Sequence, residues 1–214
     1  VPIAKEGWKI AAICILIALL GWVIHPLILI AGIGAALFTL YFFRDPERNI
    51  VATAGQILAP ADGKVLSIDD VDDPDFMGGR CKRISIFLSI FDVHINRAPV
   101  GGVVSTVRYN RGKFGFANTT AASLLNESNF IGIDGTDTKF AVKQIAGAVA
   151  RRIICYCHPQ QSVQAGERIG MIRFGSRTEL YVPYECEISV SVGDRVKGGL
   201  SLVGAYNVED QKTP

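Results

Sequence analysis

From Trp8 to Phe43 the chain runs 36 residues, "WKIAAICILIALLGWVIHPLILIAGIGAALFTLYFF", in which the only Lys or Arg is Lys9. Nothing else in the sequence narrows the fold so sharply. A membrane-crossing helix needs about 20 apolar residues, and roughly 17 at the least. The run is too long for one such helix and long enough for two tilted ones. His25-Pro26 sits at its midpoint. Proline removes a backbone donor and disfavours helix at the residue before it, so the midpoint is a natural turn. His25 then reads as a turn residue at the membrane interface. Lys5 and Lys9 flank the run on one side, and Arg44, Arg48 and Lys64 follow on the other. The midpoint carries no Lys or Arg, and positive charge favours the cytoplasmic side. The expectation is a transmembrane helical hairpin with both ends in the cytoplasm. A cleaved signal peptide fits poorly, because its apolar stretch is short and ends at a small-x-small site.

The chain has 214 residues, about one domain plus an appendage. Its 49% hydrophobic content is high for a soluble protein, but the excess lies in the run. Asp45-Pro46 and the surrounding charges end the second helix. From Ile57 onward the pattern turns to β. "ILAPADGKVLSI" holds a turn between two apolar runs, and "RISIFLSIFDVHI" reads as a long buried strand. "GGVVSTVRYN" is a further strand. Asp134-Gly135 marks a hairpin turn inside "NFIGIDGTDTKFAVKQI". Only "ANTTAASLLNES" suits a helix. The expected organisation is a membrane anchor over 1–48, then one mostly β domain over 49–214. That domain should be a sandwich or barrel-like core with few helices.

A net charge of +2 gives no reason to expect nucleic acid. Cys14, Cys81, Cys155, Cys157 and Cys186 form no even disulfide framework and read as reduced thiols. Cys155-Tyr156-Cys157-His158 offers three potential ligands in one stretch, with no second cluster to complete a tetrahedral site. No metal is expected.

Four stretches could carry chemistry. Asp62 in Pro60-Ala61-Asp62-Gly63 is first an ordinary turn aspartate. His94 ends an apolar strand and opens a charged segment, Asp92-Val93-His94-Ile95-Asn96-Arg97. Taken alone it reads as a satisfied core histidine, although strand ends often carry function. Asn110-Arg111-Gly112-Lys113-Phe114 is a basic glycine-containing loop, suited to a phosphate or to plain solvent. Phe174-Gly175-Ser176 would usually be a turn.

Together these stretches resemble the phosphatidylserine decarboxylase family in its short, membrane-anchored form. The likeness runs through "FFRDPER", "LAPADGKV", "SIFDVHINRAPVGG", the "GKF" loop, "GAVARRI", "GERIGMIRFGSRTELYVP" and "VGDRVKGG", in the family's order. It implies a proenzyme that cuts itself between Gly175 and Ser176, giving chains 1–175 and 176–214 that stay associated. Ser176 Oγ would attack the Gly175 carbonyl, and position 176 would become a pyruvoyl group. That group is a covalent electron sink, doing the work of pyridoxal phosphate in other enzymes. Its ketone takes the substrate's amine as a Schiff base, and phosphatidylserine gives phosphatidylethanolamine and carbon dioxide. The implied catalytic residues are Ser176, His94 and Asp62, with Asp62 orienting the imidazole. Arg97 and Lys113 are candidates for the substrate's anionic groups. The implied partners are the lipid bilayer, with the domain on the cytoplasmic face, and the second cleaved chain; a homodimer is compatible with the likeness.

The sequence departs from the family at one place. Longer members read Asp-Tyr-His-Arg-x-His, and here Arg97 stands in the slot of the second histidine, the usual base for self-cleavage. Arginine stays protonated. Either His94 serves both steps or another group activates Ser176, with His158 a weaker candidate. Three other readings compete. A pyruvoyl enzyme could act on another amino-acid head group. A lipoyl-like carrier would need a lysine at its hairpin tip, which "PYECE" lacks. A serine hydrolase would need the second glycine of a nucleophile elbow, which "FGSRT" lacks.

Overall fold

The computed structural model describes residues 2–73, 75–115, 125–136, 138–147, 152–173 and 175–208. Most of the helix-compatible patch beginning at Ala117 lies outside the described residues, as does Phe174. The chain divides into two units, Val1–Arg48 and Asn49–Pro214.

The first unit is a pair of helices, α1 (Lys5–Trp22) and α2 (Pro26–Phe42). His25 caps α2, its ring accepting from Leu27 N at 3.2 Å, and Pro26 occupies the first helical position, where a missing N–H costs nothing. Small residues let the helices approach. A Cβ added at Gly32 would strike Ala18, and one at Gly21 would strike Ile28. The open end is tied by Ala4 N to Phe43 O (2.9 Å) and Asp45 N to Pro2 O (2.8 Å). The hairpin is thus present, but the expected crossing is not supported. Among the described residues no helix is long and apolar enough to cross a membrane. Lys5, Glu6 and Lys9 take up the start of α1. The 17 residues of α2 rise only about 26 Å at 1.5 Å each.

The second unit is all strand among its described elements. They are β1 (Gln56–Leu58), β2 (Gly63–Asp73), β3 (Gly79–Leu88), β4 (Ile95–Arg97), β5 (Gly102–Asn110), β6 (Ser128–Asp134) and β7 (Lys139–Ile145). Then follow β8 (Ile153–Cys155), β9 (Ser162–Val163), β10 (Arg168–Ile172), β11 (Ser176–Pro183), β12 (Glu187–Ile188), β13 (Arg195–Val196) and β14 (Leu202–Ala205). One antiparallel sheet has the order β13-β2-β3-β11-β7-β6-β5-β9; two smaller ones are β1-β14-β12 and β4-β10-β8. The mostly β expectation holds. The large sheet is open, with β13 and β9 at its edges.

The period-2 alternation of strands decides what faces the core. Ile84, Ile86 and Leu88 of β3, Phe140 and Val142 of β7, and Leu180 and Val182 of β11 share one cluster with Ile57, Ile169 and Val203 from the small sheets. Both small sheets therefore pack on the same face of the large one, as in a sandwich. The other face of β11 is polar yet buried. Arg177 Nη2 meets Glu179 Oε1 at 3.0 Å and Ser85 Oγ at 2.6 Å, and Tyr181 donates to Glu179 at 2.9 Å. Burial, and then the Glu179 carboxylate, push the Tyr181 phenol well above its usual range. With both faces covered, β11 is buried from Ser176 to Val182.

Two local expectations change. The single strand expected over "RISIFLSIFDVHI" is two, β3 and β4, in different sheets. The break is a turn in which Asp92 Oδ2 accepts from Ser89 N (2.8 Å) and Ser89 Oγ (2.7 Å). The Asp134-Gly135 turn is longer than a two-residue hairpin. Asp134 pairs with Lys139, and Gly135 N donates to Thr138 O at 2.8 Å.

Candidate active site

Gly175 has φ +54°, in the left-handed region that L side chains avoid and glycine enters freely. A Cβ there would meet nothing within 4 Å, so conformation rather than crowding calls for glycine. Ser176 opens β11, completely buried, and its Oγ has no hydrogen-bond partner among the described residues. Leaving a buried hydroxyl unmatched costs about 1–3 kcal/mol. Such a group in a native fold calls for a reason.

The strand registers bring His94 to this place. Ser176 pairs with Leu88, the last residue of β3. Four residues before Ser176, Ile172 N donates to His94 O at 3.2 Å, and Met171 pairs with Ile95. The segment between β3 and β4 is thus pinned on both sides of Gly175-Ser176. His94 is fully buried, and its Nδ1 lies 3.0 Å from Asp92 O. A carbonyl only accepts, so the neutral ring carries its proton on Nδ1 and its basic lone pair on Nε2. A hydroxyl beside a peptide carbonyl, a glycine free to bend the chain and an imidazole with an available lone pair are the parts that an acyl shift needs.

Asp62 is buried, and its Oδ1 accepts from Gly198 N at 2.8 Å. Arg97 joins the same region. Its backbone N donates to Pro60 O, and Nη1 donates to Gly166 O, each at 2.9 Å. At Gly199, with φ +72°, a Cβ would stand 2.9 Å from Arg97 Cδ. The "VKGG" tail therefore packs against Asp62 and Arg97. Lys113 is exposed, its backbone N donating to Leu125 O at 2.7 Å. His158 is also exposed, in the turn after β8, with Nδ1 3.1 Å from Pro159 O.

Cys155 and Cys157 stand side by side, their sulfurs 3.5 Å apart. The hydrogen bond from Cys157 holds the Cys155 thiol down to about 6, against the upward push of burial. Cys157, which keeps the shared proton, is pushed far above the usual thiol range by that bond and by burial.

A chain of buried polar side chains escaped the sequence reading. Asn129 donates to Gln144, Gln144 to Asn96, and Asn96 to Thr178, each at 2.9 Å. The signal was in the alternation. Gln144 holds the inward phase of Phe140 and Val142, Asn129 that of Ile131 and Ile133, and Thr178 that of Leu180 and Val182. Polar residues at inward positions of a strand need partners, and such a break in phase marks them.

Comparison with known proteins bears on this arrangement. A family model described as phosphatidylserine decarboxylase matches residues 35–204. A phosphatidylserine decarboxylase proenzyme of Desulfotalea psychrophila is 40% identical over 206 residues, covering 95% of this chain and 96% of the relative. One from Symbiobacterium thermophilum is 41% identical over 204 residues, covering 94% of each. One from Nitrosomonas europaea is 43% identical over 213 residues, covering 96% of this chain and 95% of the relative.

The thiol pair makes a pH prediction. A thiol with a depressed pKa is thiolate above that pKa, so Cys155 should be alkylated by iodoacetamide at neutral pH. The rate should fall away on acidification through about 6. Cys157→Ala removes the donor, and the midpoint should move up. Peptide mass mapping against pH reads both; an unmoved midpoint would show that Cys157 does not hold the Cys155 thiolate.

Proposed function

The chain belongs to the phosphatidylserine decarboxylase family, and from that premise we infer that it decarboxylates phosphatidylserine to phosphatidylethanolamine after cutting itself between Gly175 and Ser176. The observation that carries the cut is the buried, unmatched Ser176 Oγ directly after a glycine at positive φ. Ser176 Oγ adds to the Gly175 carbonyl carbon, and expulsion of the amide nitrogen turns the peptide into an ester. Loss of the Cα proton of residue 176 then breaks the Cβ–O bond. This leaves a carboxylate on Gly175 and dehydroalanine at 176. Water replaces its nitrogen, which departs as ammonia, and the ketone of a pyruvoyl group remains. The proton taken from Ser176 Oγ is assigned to His94 Nε2, because Nδ1 is committed to Asp92 O.

The residues present fit this group. A pyruvoyl keeps the carbon skeleton of the serine it comes from, so the cavity that closes over Ser176 needs no extra volume. When formed, the group supplies an electron sink for loss of carbon dioxide. His94 then has a second task, returning a proton to the substrate carbon. Asp92 O already holds the ring, so Asp62 is assigned to stabilising the charge that the imidazole gains, and Arg97 and Lys113 to the substrate's anionic groups. Arg97 suits that task because its fork is already held at one end by Gly166 O. Chains 1–175 and 176–214 remain together through β11, which pairs with β3 along eight residues and with β7 along five.

A lipid substrate gives the helical pair its use. Leu16, Leu20, Trp22, Ile24, Leu27, Ile30 and Leu37 are each more than half exposed. An apolar surface of that extent marks a protein or membrane contact. We assign it to contact with the lipid bilayer. On that reading we assign the catalytic domain to the cytoplasmic face, the side that the basic flanks favour.

Denaturing gels of the pure protein should show two chains split after residue 175, the small one blocked to Edman degradation. Ser176→Ala should stay whole and inactive, and a cut chain bearing an ordinary N-terminal serine would reduce the site to simple proteolysis. His94→Ala should lose about 10²- to 10⁴-fold in kcat of any matured protein, and wild-type turnover would remove His94 from the mechanism. The full chain should float with phosphatidylglycerol–phosphatidylethanolamine vesicles and resist extraction by salt and carbonate. Release by salt alone would mean a surface contact instead of insertion.

A further inference from the structure

Asn129, Gln144, Asn96 and Thr178 are each at most 2% exposed. No step assigned above uses any of them. Yet their hydrogen bonds join the strand that Ser176 opens to the strand that follows His94. Thr178 lies two residues into β11, on the same face as Ser176. Asn96 lies in β4, two residues past His94. Gln144 belongs to β7 in the large sheet, whereas Asn96 belongs to the small sheet β4-β10-β8. The chain of bonds therefore crosses between sheets, where the backbone ladders do not.

Space has been left for it. Gly170 of β10 pairs with Asn96 on one side and Cys155 on the other. A Cβ at Gly170 would come 2.6 Å from Gln144 Nε2 and 2.5 Å from Ile154 O. The bare glycine lets the Gln144 amide lie across the small sheet and reach Asn96. β10 is the strand that leads into Gly175-Ser176. The same cluster thus touches the chain before the bond, the chain after it, and the strand that follows His94.

We propose that Asn96, Gln144 and Thr178 are positioning residues that keep position 176 in register with the His94 segment, before and after the bond at Gly175-Ser176 is cut. The proposal rests on that cut. Its physical reason is the new chain end. Once the bond breaks, residue 176 is a terminus, and termini fray unless tied down. The Asn96–Thr178 bond runs from the large chain to the small one, two residues from that end. An amide both donates and accepts without titrating, so the link is the same at every pH at which the enzyme works. Buried and fully matched, it also costs little of what an unmatched polar group would.

The test uses the full chain with Thr178→Val, which keeps the shape and loses the hydroxyl, and Thr178→Ser, which keeps the hydroxyl. Conversion of whole to cut chain is followed on denaturing gels after a pulse of synthesis, and kcat and KM are measured in phosphatidylserine–detergent micelles. A displacement of about 1 Å at a reacting centre can cost on the order of 100-fold. Thr178→Val should therefore cut about 10- to 100-fold more slowly, and its matured fraction should lose kcat with KM unchanged. Thr178→Ser should restore both. Gln144→Glu, which keeps the size and removes the donor to Asn96, should behave like Thr178→Val; it serves if the valine variant fails to fold, as judged by trypsin resistance. Folded variants that cut and turn over at the wild-type rate, with only a lower melting temperature, overturn the proposal. A wild-type chain that never cuts overturns the cleavage reading itself, and the positioning role with it.

Discussion

The ladder that holds β11 between β3 and β7 is the constraint on which the catalytic unit depends. It begins at Ser176, directly after the proposed cut. Ser176 pairs with Leu88, and Arg177 pairs with both Phe87 and Ile145. A strand in the middle of an open sheet has its backbone donors and acceptors matched on both sides. Here both faces are also buried. A strand held in that way does not need a peptide bond to its predecessor to stay in place. The proposed cut would therefore cost the fold little.

The rest of the site follows from how the neighbouring segments are tied to that ladder. Asp92 folds the end of β3 back on itself, and its backbone carbonyl accepts a hydrogen bond from His94 Nδ1. One short turn thus fixes both where the imidazole stands and which nitrogen is basic. Asp62, Arg97 and the Gly198-Gly199 turn form a second tied region, in which each charged side chain has a backbone partner. Buried charges are tolerable only when so matched. The Arg177–Glu179–Tyr181 group on the opposite face of β11 obeys the same rule.

The helical pair is packed by a different rule. Its interface is made of Ala11, Ala18, Gly21, Gly32 and Ala36, and its large side chains point away. In water that arrangement would be inside out. On the bilayer assignment proposed above it is sensible, because lipid tails would cover the large residues as well as another helix would, and small residues let the backbones close. The length of the apolar run says two helices. The charges at the head of α1 and the proline turn at His25 leave each of them shorter than the run itself suggests.

The sequence by itself determined the hairpin turn at His25-Pro26, the change from helix to strand near residue 50, and the order of the strands. Those are local matters, carried by proline, by charge and by alternation. It also singled out Gly175, Ser176, His94 and Asp62, because motifs keep their residues side by side. Only the tertiary structure decided that β3 and β4 belong to different sheets, and that Asp92 serves the ring through its carbonyl. It also decided that Asn129, Gln144, Asn96 and Thr178 meet, although Asn96 and Thr178 lie 82 positions apart. The alternation of β6, β7 and β11 says that each polar side chain faces inward. It cannot say which of them finds which, because partners across a core are chosen by strand register and sheet packing, and neither is written in any one stretch of chain.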